Sequence, residues 1–322
     1  MLDKVFNIKV IFLFMLIDGH IDVVFSMKLK PRNFAQRSGI GHVDFPRMKE
    51  GGVTAAFFAV FPASNDFVIA EGVNSFFNLI ENKENNLSQI KRVEDFVQTE
   101  KSGKIGAILH FEGSGGLDSE FINLRNYYRL GLRSMGLSWS NYNKFATGVG
   151  TIEERGLTAE GRELVKEMEK LGIVVDVSHL NEKSFWDVIE VASKPIIASH
   201  SNAYAVCKHP RNLTDEQIKA IAELKGTIGI NFSVNFLSEK KDANSIQFED
   251  IYAHIEHIVN LVGIDHVSFG SDYDGTDVPM ILKDISYYPK LLEFLEKKGF
   301  SRDDIEKIAY KNFLRVFKNV WK

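Results

Sequence analysis

IVVDVSHLNEKSFWDVIEVASKPIIASH, residues 173–200, contains one full unit of the fold. Two short β-branched apolar runs, 173–177 and 196–200, flank a segment, 181–192, with apolar residues at helical spacing. Runs that are apolar on nearly every residue belong to parallel strands buried on both faces. A strand, a helix and a second strand in this order is the alternation of a parallel α/β sheet. A histidine lies at or just past the end of each run, His179 after the first and His200 closing the second. Adjacent parallel strands finish at the same edge of a sheet, so the two imidazoles are expected side by side.

The same alternation extends in both directions. Candidate strands are 17–24, 53–61, 105–112, 134–139, 173–177, 196–200, 227–232 and 267–272. Between them lie helical patterns at 65–80 running on to 97, and at 158–171, 181–192, 214–224, 248–262 and 285–298, with 301–317 as a closing helix. Thr158 and Thr214 are N-cap residues, and Gly172 is a C-terminal stop. Eight alternations without a domain-sized break predict a (β/α)8 TIM barrel forming a single catalytic domain over 1–322. The longest connections, 28–51, 141–157 and 234–249, follow the first, fourth and seventh strands, on the side where barrel active sites form.

Composition narrows the field. The 322 residues are 44% hydrophobic and 25% charged, with formal net charge −4 and no basic stripe, which argues against a nucleic-acid partner. The single cysteine, Cys207, excludes an intrachain disulfide and reads as a small buried residue rather than a nucleophile. The apolar stretch 5–17 resembles a signal peptide but is followed by no small-x-small site, so 10–17 is read as the lead-in to the first strand. No stretch is long enough for a convincing transmembrane helix, and a cytoplasmic protein is expected.

Chemistry gathers at the strand ends. Residues two apart in a strand share a face, so His20 and Asp22 are expected to project together; for H-x-D alone a hydrogen-bonded pair is the commoner explanation. Glu112 ends an apolar run and precedes Gly113, Ser114, Gly115 and Gly116. Glutamate is rarely buried unless paired or ligated, and its two oxygens can bridge two cations. With His179 and His200 these residues form a nitrogen and oxygen donor set suited to zinc or a similar divalent ion. Asp272, in FGSDYDG, ends the eighth strand and is the candidate for proton transfer, with Asp274 as competitor. Arg211 offers a planar fork for a carboxylate. His110 is a candidate for support or substrate contact, and His254 and His257 are assigned to a helix surface or to packing. His42, His209 and His266 carry no specific signal.

With these motifs in order, the chain resembles the membrane dipeptidase (renal dipeptidase-like) family of zinc peptidases. The resemblance rests on DGHID at 18–22, GGVTAAFFAVF at 51–61, HFEG at 110–113, YYRLGLRSMGLSW at 127–139, GLTAEGRELVKEMEKLGIVVDVSH at 156–179, ASHSNAYAVCKHPRN at 198–212 and GSDYDG at 270–275. It implies a two-zinc barrel in which His20 and Asp22 hold one ion, His179 and His200 the other, and Glu112 bridges them. It implies Arg211 as the grip on the substrate's terminal carboxylate, Asp272 as acid/base, and a small dipeptide as substrate, with a homodimer left open. Two positions depart from the family. Trp139 stands where animal members carry a histidine that contacts the reacting group, and Phe61 stands where they have a tyrosine; both are expected to line the substrate site. FKNVWK, 317–322, carries no membrane-anchor signal, and the anchor of the animal members is not expected here. A related amidohydrolase acting on a lactam or an N-acyl amino acid, or a barrel without catalysis, are the rival expectations.

Overall fold

A computed structural model describes residues 15–152 and 155–322 of the chain. The lead-in reading of 10–17 falls mostly on residues 1–14, outside the described residues. The strands are β1 (Ile17–Ile21), β2 (Ala55–Val60), β3 (Leu87–Gln89), β4 (Ile105–Glu112), β5 (Leu132–Gly136), β6 (Val174–Asp176), β7 (Ile197–Ala198), β8 (Thr227–Ile230) and β9 (Val267–Phe269). All pair in parallel, in the order β2-β1-β9-β8-β7-β6-β5-β4, and β2 pairs with β4 to close an eight-stranded barrel. The TIM-barrel expectation therefore holds.

Differences from the sequence reading have local causes. β3 lies inside the stretch 65–97, which the sequence presents as helical. Asn82 and Asn86, the latter left-handed at φ 50°, end the helix Asp66–Glu81 and allow three residues to pair with the first half of β4. The second half of that edge pairs with β5, so β3 fills a gap and adds no ninth stave. Strand β1 stops at Ile21 rather than at residue 24, and the helix Val23–Leu29 follows at once. The closing segment 301–317 contains a π-helical stretch, Lys307–Lys311, between the α-helices Arg302–Glu306 and Asn312–Val320.

The barrel is filled from below. Ile17, Ala55, Phe57, Ile108, Val174 and Ile197 point inward and pack on Phe313 and Phe317 of the last helix, which plugs the N-terminal mouth. This dry plug leaves the C-terminal mouth for polar groups. A second, larger apolar cluster lies between the strands and the surrounding helices. Each fully buried Leu, Ile or Phe side chain there contributes roughly 1.5–3 kcal/mol.

Candidate metal centre

Strand ends deliver the donors, but not all by simple alternation. β1 gains one residue relative to β2, since Ile17 pairs with Ala55 and Ile21 with Phe58. The extra residue turns both Gly19 and His20 toward the axis: a Cβ on Gly19 would strike Phe313, while the His20 ring lies 5.3 Å from that of His110 and 3.9 Å from that of His200. Asp22 lies beyond the strand, at the N-cap of the next helix. The bend there, not period-two alternation, brings Asp22 Oδ2 to 3.3 Å from His20 Nε2.

Glu112 divides its two oxygens between two clusters. Oε2 faces His20 Nε2 at 3.6 Å. Oε1 lies 2.9 Å from His179 Nε2 and 3.8 Å from His200 Nε2. The His179 and His200 Nε2 atoms stand 2.8 Å apart, where two lone pairs repel unless a proton or a cation lies between them. Donor atoms of His20, Glu112 and His200, and of His20, Asp22 and Asp272, fall within 4.8 Å of one another.

The residues fit divalent cations. Both ring nitrogens of His20 and Oδ1 of Asp22 are buried without hydrogen-bond partners, which is costly for polar atoms unless another ligand satisfies them. Electrostatics agrees. Burial opposes charge on His20, yet Asp22 and Glu112 hold its pKa well above the ordinary value. Burial also opposes charge on Glu112, but His20 and His179 hold that carboxyl well below the usual range. Burial, and then the charge of Asp22, push Asp272 up to about 8. His179 is drawn down to about 4 by burial and by Arg211, and burial takes His200 well below its usual value.

The residues around the donors are tightly placed. His179, Asp272 and Asp274 have left-handed φ values of 70°, 63° and 72°, conformations that persist only where surroundings hold them. Asp272 is held by Asn231, whose Nδ2 donates to Oδ2 at 3.0 Å, and by its own N–H, which donates to the His20 carbonyl. The Asp274 carboxylate is occupied by Arg32 and by the His42 N–H, so of the two acids Asp272 is the one that joins the His20–Asp22 group. Asn231 escaped the sequence reading, although a buried amide closing an apolar strand is the same signal that marked the histidines.

Arg211 is 7% exposed, and burial lowers its pKa. Its Nη atoms donate to the His200 carbonyl and Ser201 Oγ, while Nε has no partner. It borders a cavity of about 360 Å³ together with Phe25, Phe61, Trp139 and Phe236. Phe61 packs edge-on against Phe25 at 5.1 Å and Trp139 at 5.3 Å, and the Trp139 ring is 5.9 Å from that of His179. Trp139 is 40% exposed and lies past the end of β5 at Gly136, not within a strand as the sequence suggests.

Other histidines stand apart. His254 is buried, accepts from the Ala203 N–H and contacts the Leu237 carbonyl. His257 pairs with Asp215, and His266 contacts the Gly226 carbonyl. His209 packs on Phe236, and Cys207 is buried. His110, two residues before Glu112 on the same strand, has neither ring nitrogen hydrogen-bonded.

Fold and site together define a metal-dependent hydrolase on a TIM barrel. The membrane dipeptidase model, peptidase family M19, matches residues 7–322, and the chain belongs to this family of metallopeptidases. Dipeptidase tcpJ of Claviceps purpurea is 30% identical over 94% of this chain and 76% of its own length. Among solved structures, a metallo peptidase from Rhodobacter sphaeroides, liganded with a phosphinate mimic of the dipeptide L-Ala-D-Ala, superposes with a TM-score of 0.89 at 30% identity. That match covers 96% of this chain and 99% of the other. The dipeptidase AC structure, also of family M19, gives a TM-score of 0.90 at 31% identity with the same coverage. Among the described residues no helix is long and apolar enough to cross a membrane.

Proposed function

We propose that this chain is a single catalytic barrel that hydrolyses dipeptides with two divalent cations, zinc in the first instance. His20 and Asp22 would hold one, His179 and His200 the other, and Glu112 would bridge them. The observation that carries this reading is the division of Glu112, with one oxygen toward His20 and the other toward the His179–His200 pair. When bound, such a pair supplies Lewis acidity that polarises a carbonyl and lowers the pKa of water.

The protein's own groups supply the rest. Arg211 lies on the cavity wall and forms no ion pair among the described residues, so its guanidinium would take the C-terminal carboxylate of the substrate. This grip selects short peptides, because the chain must end within reach of the scissile bond. Phe25, Phe61 and Trp139 then border the N-terminal residue. Asp272, oriented by Asn231, accepts the proton of the attacking water and returns it to the leaving amine.

The test is Asp272→Asn in zinc-reconstituted enzyme, assayed on L-L and L-D dipeptides and on N-acyl amino acids. Turnover of dipeptides is expected to fall by roughly 10²–10⁴-fold while the metal content stays at two per chain. Normal dipeptide turnover by this variant would refute the role of Asp272. Preference for N-acyl amino acids by the unaltered enzyme would move the assignment to another amide.

A further inference from the structure

Beneath the cluster, inside the barrel, three side chains form a chain of hydrogen bonds whose protons have one consistent arrangement when Asp176 is a carboxylate. Asp176, at the end of β6, accepts backbone N–H groups from Ser178 at 3.0 Å and Ser199 at 2.9 Å on Oδ1. Its Oδ2 is 2.5 Å from Ser199 Oγ. Ser199 Oγ is in turn 2.7 Å from His200 Nδ1. All three residues are almost fully buried. His110 approaches Asp176 Oδ2 only at 3.7 Å, too far for a hydrogen bond, and the Ser199–Ser178 hydroxyl contact at 3.4 Å is a poor one.

A serine hydroxyl has one proton to give and two lone pairs. A carboxylate only accepts, so the Ser199 proton goes to Asp176. Ser199 Oγ can then only accept from its second close partner, and His200 Nδ1 must carry a hydrogen. In a neutral imidazole this leaves Nε2 bare. That atom is the one facing Glu112 Oε1 and His179 Nε2. We infer that Asp176 and Ser199 are positioning residues: the Asp176–Ser199 relay fixes His200 in the Nδ1–H tautomer, so that its Nε2 lone pair is presented to a cation before one arrives. Partners of this kind orient a ligating histidine and raise its basicity, here through an intervening hydroxyl rather than by direct contact.

The inference about metal binding rests on the two-cation reading above; the tautomer does not, and the experiment separates them. The protein labelled with ¹⁵N-histidine, freed of metal by chelation, is examined by long-range ¹H–¹⁵N correlation, with His200 assigned by its loss in His200→Gln. The expected spectrum shows His200 protonated at Nδ1. Ser199→Ala is expected to lose this preference and to weaken zinc binding, in competition with a chromophoric chelator, by roughly 10–100-fold at one of the two sites. Ser199→Thr, which keeps the hydroxyl, restores both. Asp176→Asn offers an amide that can donate to Ser199 Oγ, which frees the hydroxyl to donate to His200 and inverts the tautomer. A purely structural role would lower the melting temperature of these variants without moving the tautomer. His200 protonated at Nε2 in the unaltered chain, or Ser199→Ala with tautomer and zinc affinity unchanged, overturns the inference. The tautomer result stands whether or not any dipeptide is hydrolysed, so failure of the dipeptidase assignment is told apart from failure of the relay.

Discussion

Replacing Arg211 tests how the site chooses its substrate. The guanidinium is buried and its charge has no carboxylate partner among the described residues, while two of its donors already serve the His200 carbonyl and Ser201 Oγ. A substrate carboxylate in the cavity that Arg211 borders would meet this charge through the Nη–H groups left over, a charge-assisted contact. Removing one partner of a buried charge pair costs about 2–5 kcal/mol. Because Arg211 is already partly engaged, the lower and middle part of that range applies. About 2–4 kcal/mol corresponds to a fall of roughly 30- to 1000-fold in kcat/KM for Arg211→Met. The same dipeptide with its C-terminus amidated has no charge to lose, and is expected to change by less than about threefold on the same substitution. The assay is kcat/KM for acid and amide substrates with both proteins, a double-mutant cycle in which one mutation lies in the substrate. Melting temperature is the control. Relief of a buried cation opposes the loss of two hydrogen bonds, so a shift of no more than about 3 °C is expected. Equal losses on acid and amide would show that Arg211 supports the barrel mouth rather than gripping a carboxylate.

Further predictions concern shape, acid sensitivity and selectivity. A Cβ on Gly275 would lie within 3.0 Å of Asp22 Oδ2 and of Asp272 Oδ1. Gly275→Ala is expected to lower kcat by about 100-fold, the order of loss for a misplacement near 1 Å, with an unchanged far-UV circular dichroism spectrum; full activity would show that the two carboxylates can separate freely. His254 is held neutral, drawn down to about 4 by burial. The unfolded chain takes up this proton first, near pH 6.5, so the stability it supports is complete above that pH and is lost as pH falls toward 4. At pH 5 the loss is about 2 kcal/mol, and urea unfolding should show the penalty of His254→Gln smaller at pH 5 than at pH 7.5 by that amount; an equal penalty at both would refute it. Trp139 and Phe61 separate the cavity over the cluster from a neighbouring one of about 400 Å³ lined also by Tyr142 and Asn143. Trp139→Ala joins the two, and kcat/KM is expected to shift toward dipeptides with bulky N-terminal side chains by roughly tenfold without loss of metal; an unchanged preference would remove Trp139 from the specificity wall.

The barrel and the mouth at which chemistry gathers are legible in the pattern of residues alone. Apolar runs such as 105–112 must be buried on both faces, and helical segments between them force parallel pairing. Parallel pairing sends every strand end to one side, so His20, Glu112, His179, His200 and Asp272 were bound to share a rim. How they meet depends on the closed barrel. The extra residue in β1 turns His20 inward, and the bend after Ile21 brings Asp22 back to it, so the pair forms for a different reason from the one alternation suggests. The different neighbours of the two Glu112 oxygens depend on distances across the barrel, which are set by closure between β2 and β4 and by the register of every pair between. The engagement of Asp274 by Arg32 and His42 comes from a connection more than two hundred residues away in sequence and sets it apart from Asp272, the acid the sequence already favours. Asp176 and Ser199 escaped notice because a buried Asp and a Ser have ordinary local meanings. Their meaning changes when adjacent strands place one hydroxyl between a carboxylate and an imidazole, and that contact exists only once the sheet is closed.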